Sequence, residues 1–271
     1  MRDVIRKMRG LIWGAVLVAL AGCASVPRPQ TSNFARPLSP PYESWASVLH
    51  QHVDGEGRVD FAAIAADRRD LDRFVAFVYD VGPLTHPAIF PTRNHVLAYH
   101  INAYNALAMH KVIEAGIPAT LAGLRKVSFF AFGKVMVGGD PITLYDYENK
   151  VIRPLGDPRI HVALNCMSVS CPRLPREPFR AETLDEQLDR EARRFFNEER
   201  NVLVNVNAKV VRLSEILDFF PDDFLLKSPS LIAYVNRYRE SKIPEDYAIE
   251  FRSYDWTINR QPNIKRAGDL K

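Results

Sequence analysis

The chain has 271 residues and a formal net charge of +4. Residues 1–22 hold four Lys or Arg against one Asp, so the remainder carries a net charge of +1. That leaves no field of the strength nucleic-acid binding requires.

The N-terminus reads as a targeting segment. Arg2, Arg6, Lys7 and Arg9 form a basic n-region, and Leu11 to Leu20 is an apolar stretch too short to span a bilayer comfortably. Leu20-Ala21-Gly22-Cys23 resembles a bacterial lipobox. The resemblance implies cleavage of residues 1–22 and lipidation of the Cys23 thiol. An ordinary signal peptide or an uncleaved anchor is the alternative. Ala24 stands where an Asp would argue for inner-membrane retention. The expected location is therefore the outer membrane, facing the periplasm, with the lipid at Cys23 as the membrane contact. Residues 23–41 contain Pro27, Pro29, Pro37, Pro40 and Pro41 without apolar periodicity, a tether. Residues 42–260 suffice for one well-cored domain, and 261–271 form a tail.

Within the domain, the spacing of Trp45, Val48 and Leu49 predicts a helix over 42–52. Asp54 to Gly57 is a turn, followed by an extended piece at 58–61. Leu71, Phe74, Val75 and Val78 line one side of a helix over 67–79, which Gly82-Pro83 ends. Residues 94–115 are apolar nearly all round, the pattern of a buried helix, with Asn94 as N-cap and Gly116 as stop. Asn102 and Asn105 then lie inside. Residues 134–137 and 142–144 form a hairpin about Gly138-Gly139-Asp140, and 146–153 a short helix. Arg159 to Leu164 reads as a buried strand. A helix over 183–197, a hairpin of 202–206 with 209–213, short helices at 213–220 and 229–238, and a strand at 247–256 complete the chain. The order suggests a single α+β domain with a central buried helix packed on a mostly antiparallel sheet.

Three stretches carry a family resemblance: Ala98-Tyr-His-Ile-Asn-Ala-Tyr-Asn-Ala-Leu107; Val135 to Asp140 with Leu144-Tyr-Asp-Tyr-Glu148 and Ile152-Arg153; and Asp157 to Pro172. The sequence resembles the family called domain of unknown function 547, over essentially the whole domain. The family brings no assigned reaction. Its segment order resembles papain-like and transglutaminase-like folds, an analogy of fold and not of activity. Those enzymes carry a nucleophilic Cys at the head of the central helix, where this chain has none. Where members of the family often have His in the short helix, this chain has Asn149.

The segment Arg159-Ile-His-Val-Ala-Leu-Asn-Cys-Met-Ser-Val-Ser-Cys-Pro172 concentrates the chemistry. Cys166 and Cys171 form a disulfide in an oxidising compartment, or Cys166 is a nucleophile with His161 as base, or both are small core residues. Their spacing is not that of a zinc site. On a straight strand His161 and Cys166 point to opposite faces, and His161 shares its face with Ala163 and Asn165. His161 is a satisfied core group, or a general base oriented by Asn165, Asp146 or Glu148. Asn102 and Asn105 hold the backbone of the 165–172 loop, or one donates to a developing oxyanion. His95, His100 and His110 share no ligand-forming face. No Gly-x-Ser-x-Gly, phosphate loop, dinucleotide fingerprint or His-Glu-x-x-His occurs, and neither a metal nor a cofactor is expected. Two functions follow: a non-catalytic envelope protein that binds a peptide or protein partner or acts as a scaffold, or a cysteine-type hydrolase or acyl transferase acting on peptide or amide bonds.

Overall fold

The computed structural model describes residues 39–262. The signal segment, Cys23, nearly all of the tether and most of the tail lie outside the described residues. No helix among the described residues is long and apolar enough to cross a membrane. The chain is mixed α+β and divides into two compact units. One is Phe196–Tyr254; the other joins residues 39–195 with 255–262.

In the larger unit, helix α1 (Tyr42–His52) buries Trp45, Val48 and Leu49 as expected. A short helix, α2 (Phe61–Ala66), begins where an extended piece was expected. Asp60 explains it, since its carboxylate accepts the Ala63 N–H at 3.0 Å and caps the turn. Helix α3 (Arg69–Asp80) turns Leu71, Phe74, Val75 and Val78 inward. Trp45 stacks on Phe74 at 5.6 Å between centroids.

Helix α4 (Arg93–Glu114) is the centre of the unit, buried without interruption from Leu97 to Ile113. Its cap is Thr92 and not Asn94: the Thr92 hydroxyl accepts the His95 N–H at 3.3 Å. Gly116 stops it as expected. At φ +73° it lets Gly116 N–H reach Ile113 O at 2.9 Å and Ile117 N–H reach Val112 O at 2.9 Å. Helices α2 and α3 and the turns after residue 146 pack against α4, in place of the single sheet expected there.

The expected hairpin forms from β1 (Lys134–Val137) and β2 (Asp140–Thr143), but its turn is only Gly138-Gly139, and Asp140, expected in the turn, pairs with Val137. Gly138 and Gly139 have φ of +60° and +92°, and their N–H groups donate to Val78 O and Tyr79 O at the end of α3. The Leu144–Asp146 turn runs into a wide helical turn, Tyr147–Ile152.

The strand expected over 159–164 is instead a 3₁₀ helix, Pro158–Val162. Asp157 accepts the Arg159 N–H at 3.0 Å, and Pro158 fixes the first helical φ. The apolar run is consistent with either state, and the Asp-Pro start decides it. With a 3₁₀ helix in place of the strand, strand alternation does not set His161 and Cys166 on opposite faces.

The smaller unit pairs β3 (Val202–Asn205) antiparallel with β4 (Val210–Ser214), and β4 parallel with β5 (Ala248–Arg252). Among the described residues the strands thus form two small sheets, one with a parallel pair, and not one mostly antiparallel sheet. Phe196, Phe224, Tyr234 and Tyr238 form an aromatic core, with Phe224 and Tyr234 edge-on at 5.0 Å.

Candidate functional site

The site is built where α4 meets the loop after the 3₁₀ helix. Asn105 holds that loop by its backbone. Its Nδ2 donates to Ala163 O at 3.0 Å, and its Oδ1 accepts Asn165 N–H at 2.7 Å. Asn165 continues the pattern: Nδ2 donates to Pro172 O, and Oδ1 accepts Met167 N–H, both at 2.7 Å. Met167 sits at φ +71°, a conformation a side chain of its kind seldom adopts. It is over-determined by Asn165 on one side and by Asn259 N–H donating to Met167 O at 2.9 Å on the other.

Cys166 and Cys171 face each other inside this turn, both buried and not joined by a disulfide in this structure. Their sulfurs lie 2.7 Å apart, and Cys166 N–H points at the Cys171 sulfur at 3.0 Å. Ser168 Oγ completes the knot at 3.0 Å from Cys166 Sγ and 3.4 Å from Cys171 Sγ. Residues 255–259, the return segment, pair with this turn. Val169 N–H donates to Thr257 O at 2.8 Å, and Asp255 N–H to Ser170 Oγ at 2.8 Å.

Tyr104 stands one position before Asn105 on α4, and its hydroxyl donates to Glu148 Oε2 at 3.2 Å. Burial first, and then the negative charges that Glu148 and the two nearby cysteines can carry, raise the Tyr104 phenol well above its ordinary value. Tyr104 is a fixed donor and not a base.

Asn102 and Asp146 are engaged elsewhere. Asn102 uses all its hydrogen-bonding capacity structurally. Oδ1 accepts Trp45 Nε1–H at 3.1 Å and Phe179 N–H at 3.0 Å, while Nδ2 donates to Ala98 O and Phe179 O, each at 2.8 Å. No N–H of Asn102 is left for an oxyanion, and it clamps residue 179, not the 165–172 loop. Asp146 lies at the rim of the short helix, ion-paired to Lys150 at 3.1 Å. Asn149 bridges Tyr145 O at 2.8 Å and the Arg153 guanidinium at 2.6 Å. His161 is buried in the 3₁₀ helix. Among the described residues no group of three or more His, Cys, Asp or Glu is placed to hold a metal ion.

A second feature escaped the sequence. A cleft of about 380 Å³ opens beside the hairpin, lined by Val96, Val137, Ile142, Val151 and Leu155, with His100 and Tyr147 among its lining groups. Gly82 was legible only as a helix stop, yet it allows the hairpin to approach: a Cβ on Gly138 would lie 3.2 Å from Gly82 Cα. In the sequence His100 stands out only as a possible metal ligand.

The comparisons with known proteins agree with the part of the chain that carries this site. Residues 90–196 match the model of a family described as "Protein of unknown function, DUF547". The match takes in α4, the hairpin, the 3₁₀ helix and the cysteine loop, a narrower span than the resemblance over the whole domain. No curated protein and no solved structure matches the chain.

Proposed function

We propose that this protein is an exported lipoprotein whose domain is a non-catalytic binding or scaffold module of the bacterial envelope, tethered through Cys23 and facing the periplasm. Its scaffold would be a papain- or transglutaminase-like one that lacks the nucleophile of those enzymes. The observation that carries this reading is the use made of the 163–172 loop. The hydrogen bonds of the Asn105 and Asn165 amides, and the close contacts among Cys166, Ser168 and Cys171, run within the loop and to α4. A catalytic loop leaves its reacting atoms open to a substrate; this one spends them on itself. In an oxidising compartment the facing sulfurs close to a disulfide, giving up two hydrogens to the thiol-oxidising system of that compartment.

The cysteine-type hydrolase or acyl transferase is the competing reading, with Cys166 as nucleophile and His161 as base. Labelling the protein in intact cells with an alkyne-bearing iodoacetamide at neutral pH separates the two. The proposal predicts no label at Cys166. Rapid labelling of Cys166 that His161→Ala suppresses would establish the enzyme. Fractionation tests the tether: the native chain pellets with the outer membrane, and Cys23→Ser does not.

A further inference from the structure

The cleft beside the hairpin has a defined hydrogen-bonding polarity. His100 Nδ1 lies 2.8 Å from the Tyr147 hydroxyl, and both rings are buried. Among the described residues that imidazole nitrogen is the only partner the Tyr147 hydroxyl has. Burial raises the phenol well above its ordinary value, so it keeps its proton. A buried O–H without an acceptor costs about 1–3 kcal/mol, so the hydroxyl donates and Nδ1 accepts. The proton of the neutral imidazole is then on Nε2. Burial also drives His100 down to about 4, which keeps the ring uncharged at neutral pH.

Nε2–H has no hydrogen-bond partner among the described residues, and His100 lines the cleft. The cleft therefore offers one uncharged donor among apolar walls. Its other polar groups are already occupied or at the mouth. Thr85 Oγ1 is bonded to Gly82 and His86. Lys150 is exposed and paired with Asp146, and Asp140 is exposed. With one cation, already neutralised, and one anion at the rim, the cleft has no net attraction for an anionic head group. A carboxylate against a single neutral N–H would also lose more solvation than it regains. An amide carbonyl is a strong uncharged acceptor, and apolar walls with one oriented donor are the usual make-up of a ligand site of this size.

We infer that this cleft is a binding site for an uncharged apolar group attached to an amide, such as a leucine-like side chain within a peptide, with the amide carbonyl accepting from His100 Nε2–H. This deepens the reading of the domain as a binding module. It is independent of the state of Cys166, so failure here and failure of the alkylation test are told apart.

The test uses the full chain in lipid nanodiscs, which keeps detergent out of the cleft, with histidine labelled by ¹⁵N. N-acetyl-L-leucine amide is titrated against N-acetyl-L-leucine, which differs in ending in a carboxylate. The amide is expected to move the His100 Nε2 resonance saturably and to bind at least about tenfold more tightly than the acid. His100→Phe is expected to weaken the amide about tenfold, the equivalent of one buried hydrogen bond. Because that variant strands the Tyr147 hydroxyl, Ile142→Trp supplies the second arm: it fills the cleft from a half-buried wall position and is expected to abolish binding. No saturable shift with the amide, equal affinity for the acid, or unchanged binding by Ile142→Trp would each overturn the inference.

Discussion

The side-chain amide of Asn105 pairs with the backbone at Asn165, accepting its N–H at 2.7 Å, while the same amide donates to Ala163 O one residue the other side of Leu164. One side chain of the central helix thus fixes both ends of the turn into the cysteine loop. Both residues are buried, so their backbone groups lose a protein partner if the amide is removed.

Asn105→Leu removes two hydrogen bonds and strands a buried N–H and a buried carbonyl. The expected loss of stability is about 2–5 kcal/mol, read by urea unfolding. A loss below about 1 kcal/mol would mean that the amide is dispensable to the loop.

The proposed Cys166–Cys171 disulfide would close a very short loop, so its contribution to stability would be at the low end for such a bond. Cys166→Ser with Cys171→Ser is expected to lower stability by about 2 kcal/mol under oxidising conditions. Adding a reductant to the native chain should reproduce most of that loss and leave the double variant unchanged. Equal sensitivity of both proteins to the reductant would contradict the bond.

His110 on α4 is buried with neither ring nitrogen hydrogen-bonded, and its Nε2 lies 3.9 Å from both Asp72 and Glu114. Those carboxylates are engaged by Arg68. Burial first, and the Arg68 charge second, push His110 down to about 4 from 6.5. Above pH 6.5 both folded and unfolded chains hold it neutral. Between 6.5 and 4 the unfolded chain binds the proton and the folded chain does not, so stability falls with falling pH across that window. His110→Phe is expected to be neutral or stabilising at pH 7 and to remove about 2–3 kcal/mol of the acid loss. Thermal unfolding at pH 7 and at pH 4.5 checks this, and parallel pH profiles for the two proteins would refute it.

Gly138 is required twice, by its φ of +60° and by its approach to Gly82. Gly138→Ala is expected to cost about 2 kcal/mol or more. Gly55→Ala, at a glycine with open space around its missing Cβ and no left-handed φ, is expected to change stability by less than about 0.5 kcal/mol. Comparable losses at both positions in chemical unfolding would remove the steric argument.

The parts of this fold that the sequence made legible are those set by local pattern. Helix α4 is apolar all round, and Gly116 must end it; Gly138-Gly139 must turn the hairpin. The 159–164 segment departs from the expected strand because β-branched apolar residues satisfy a strand and a buried 3₁₀ turn equally, and the capping Asp157-Pro158 pair carries the deciding information. The structural use of Asn105 on the loop was legible as one of two options. Asn102 was not, since its partners Trp45 and Phe179 lie 57 and 77 residues away in the chain. The cleft was invisible for the same reason. Gly82, His100, Ile142 and Tyr147 have no shared period, and only the docking of the hairpin on the end of α3 brings them together.

As proposed above, the cysteine loop acts as a lock and not as a nucleophile. Mass mapping of iodoacetamide alkylation tests it most directly, on full-length protein purified without reductant and treated first folded, then unfolded, then reduced. Neither Cys166 nor Cys171 is expected to be alkylated until the reductant is added. Alkylation of Cys166 in the folded, unreduced protein at neutral pH would contradict it.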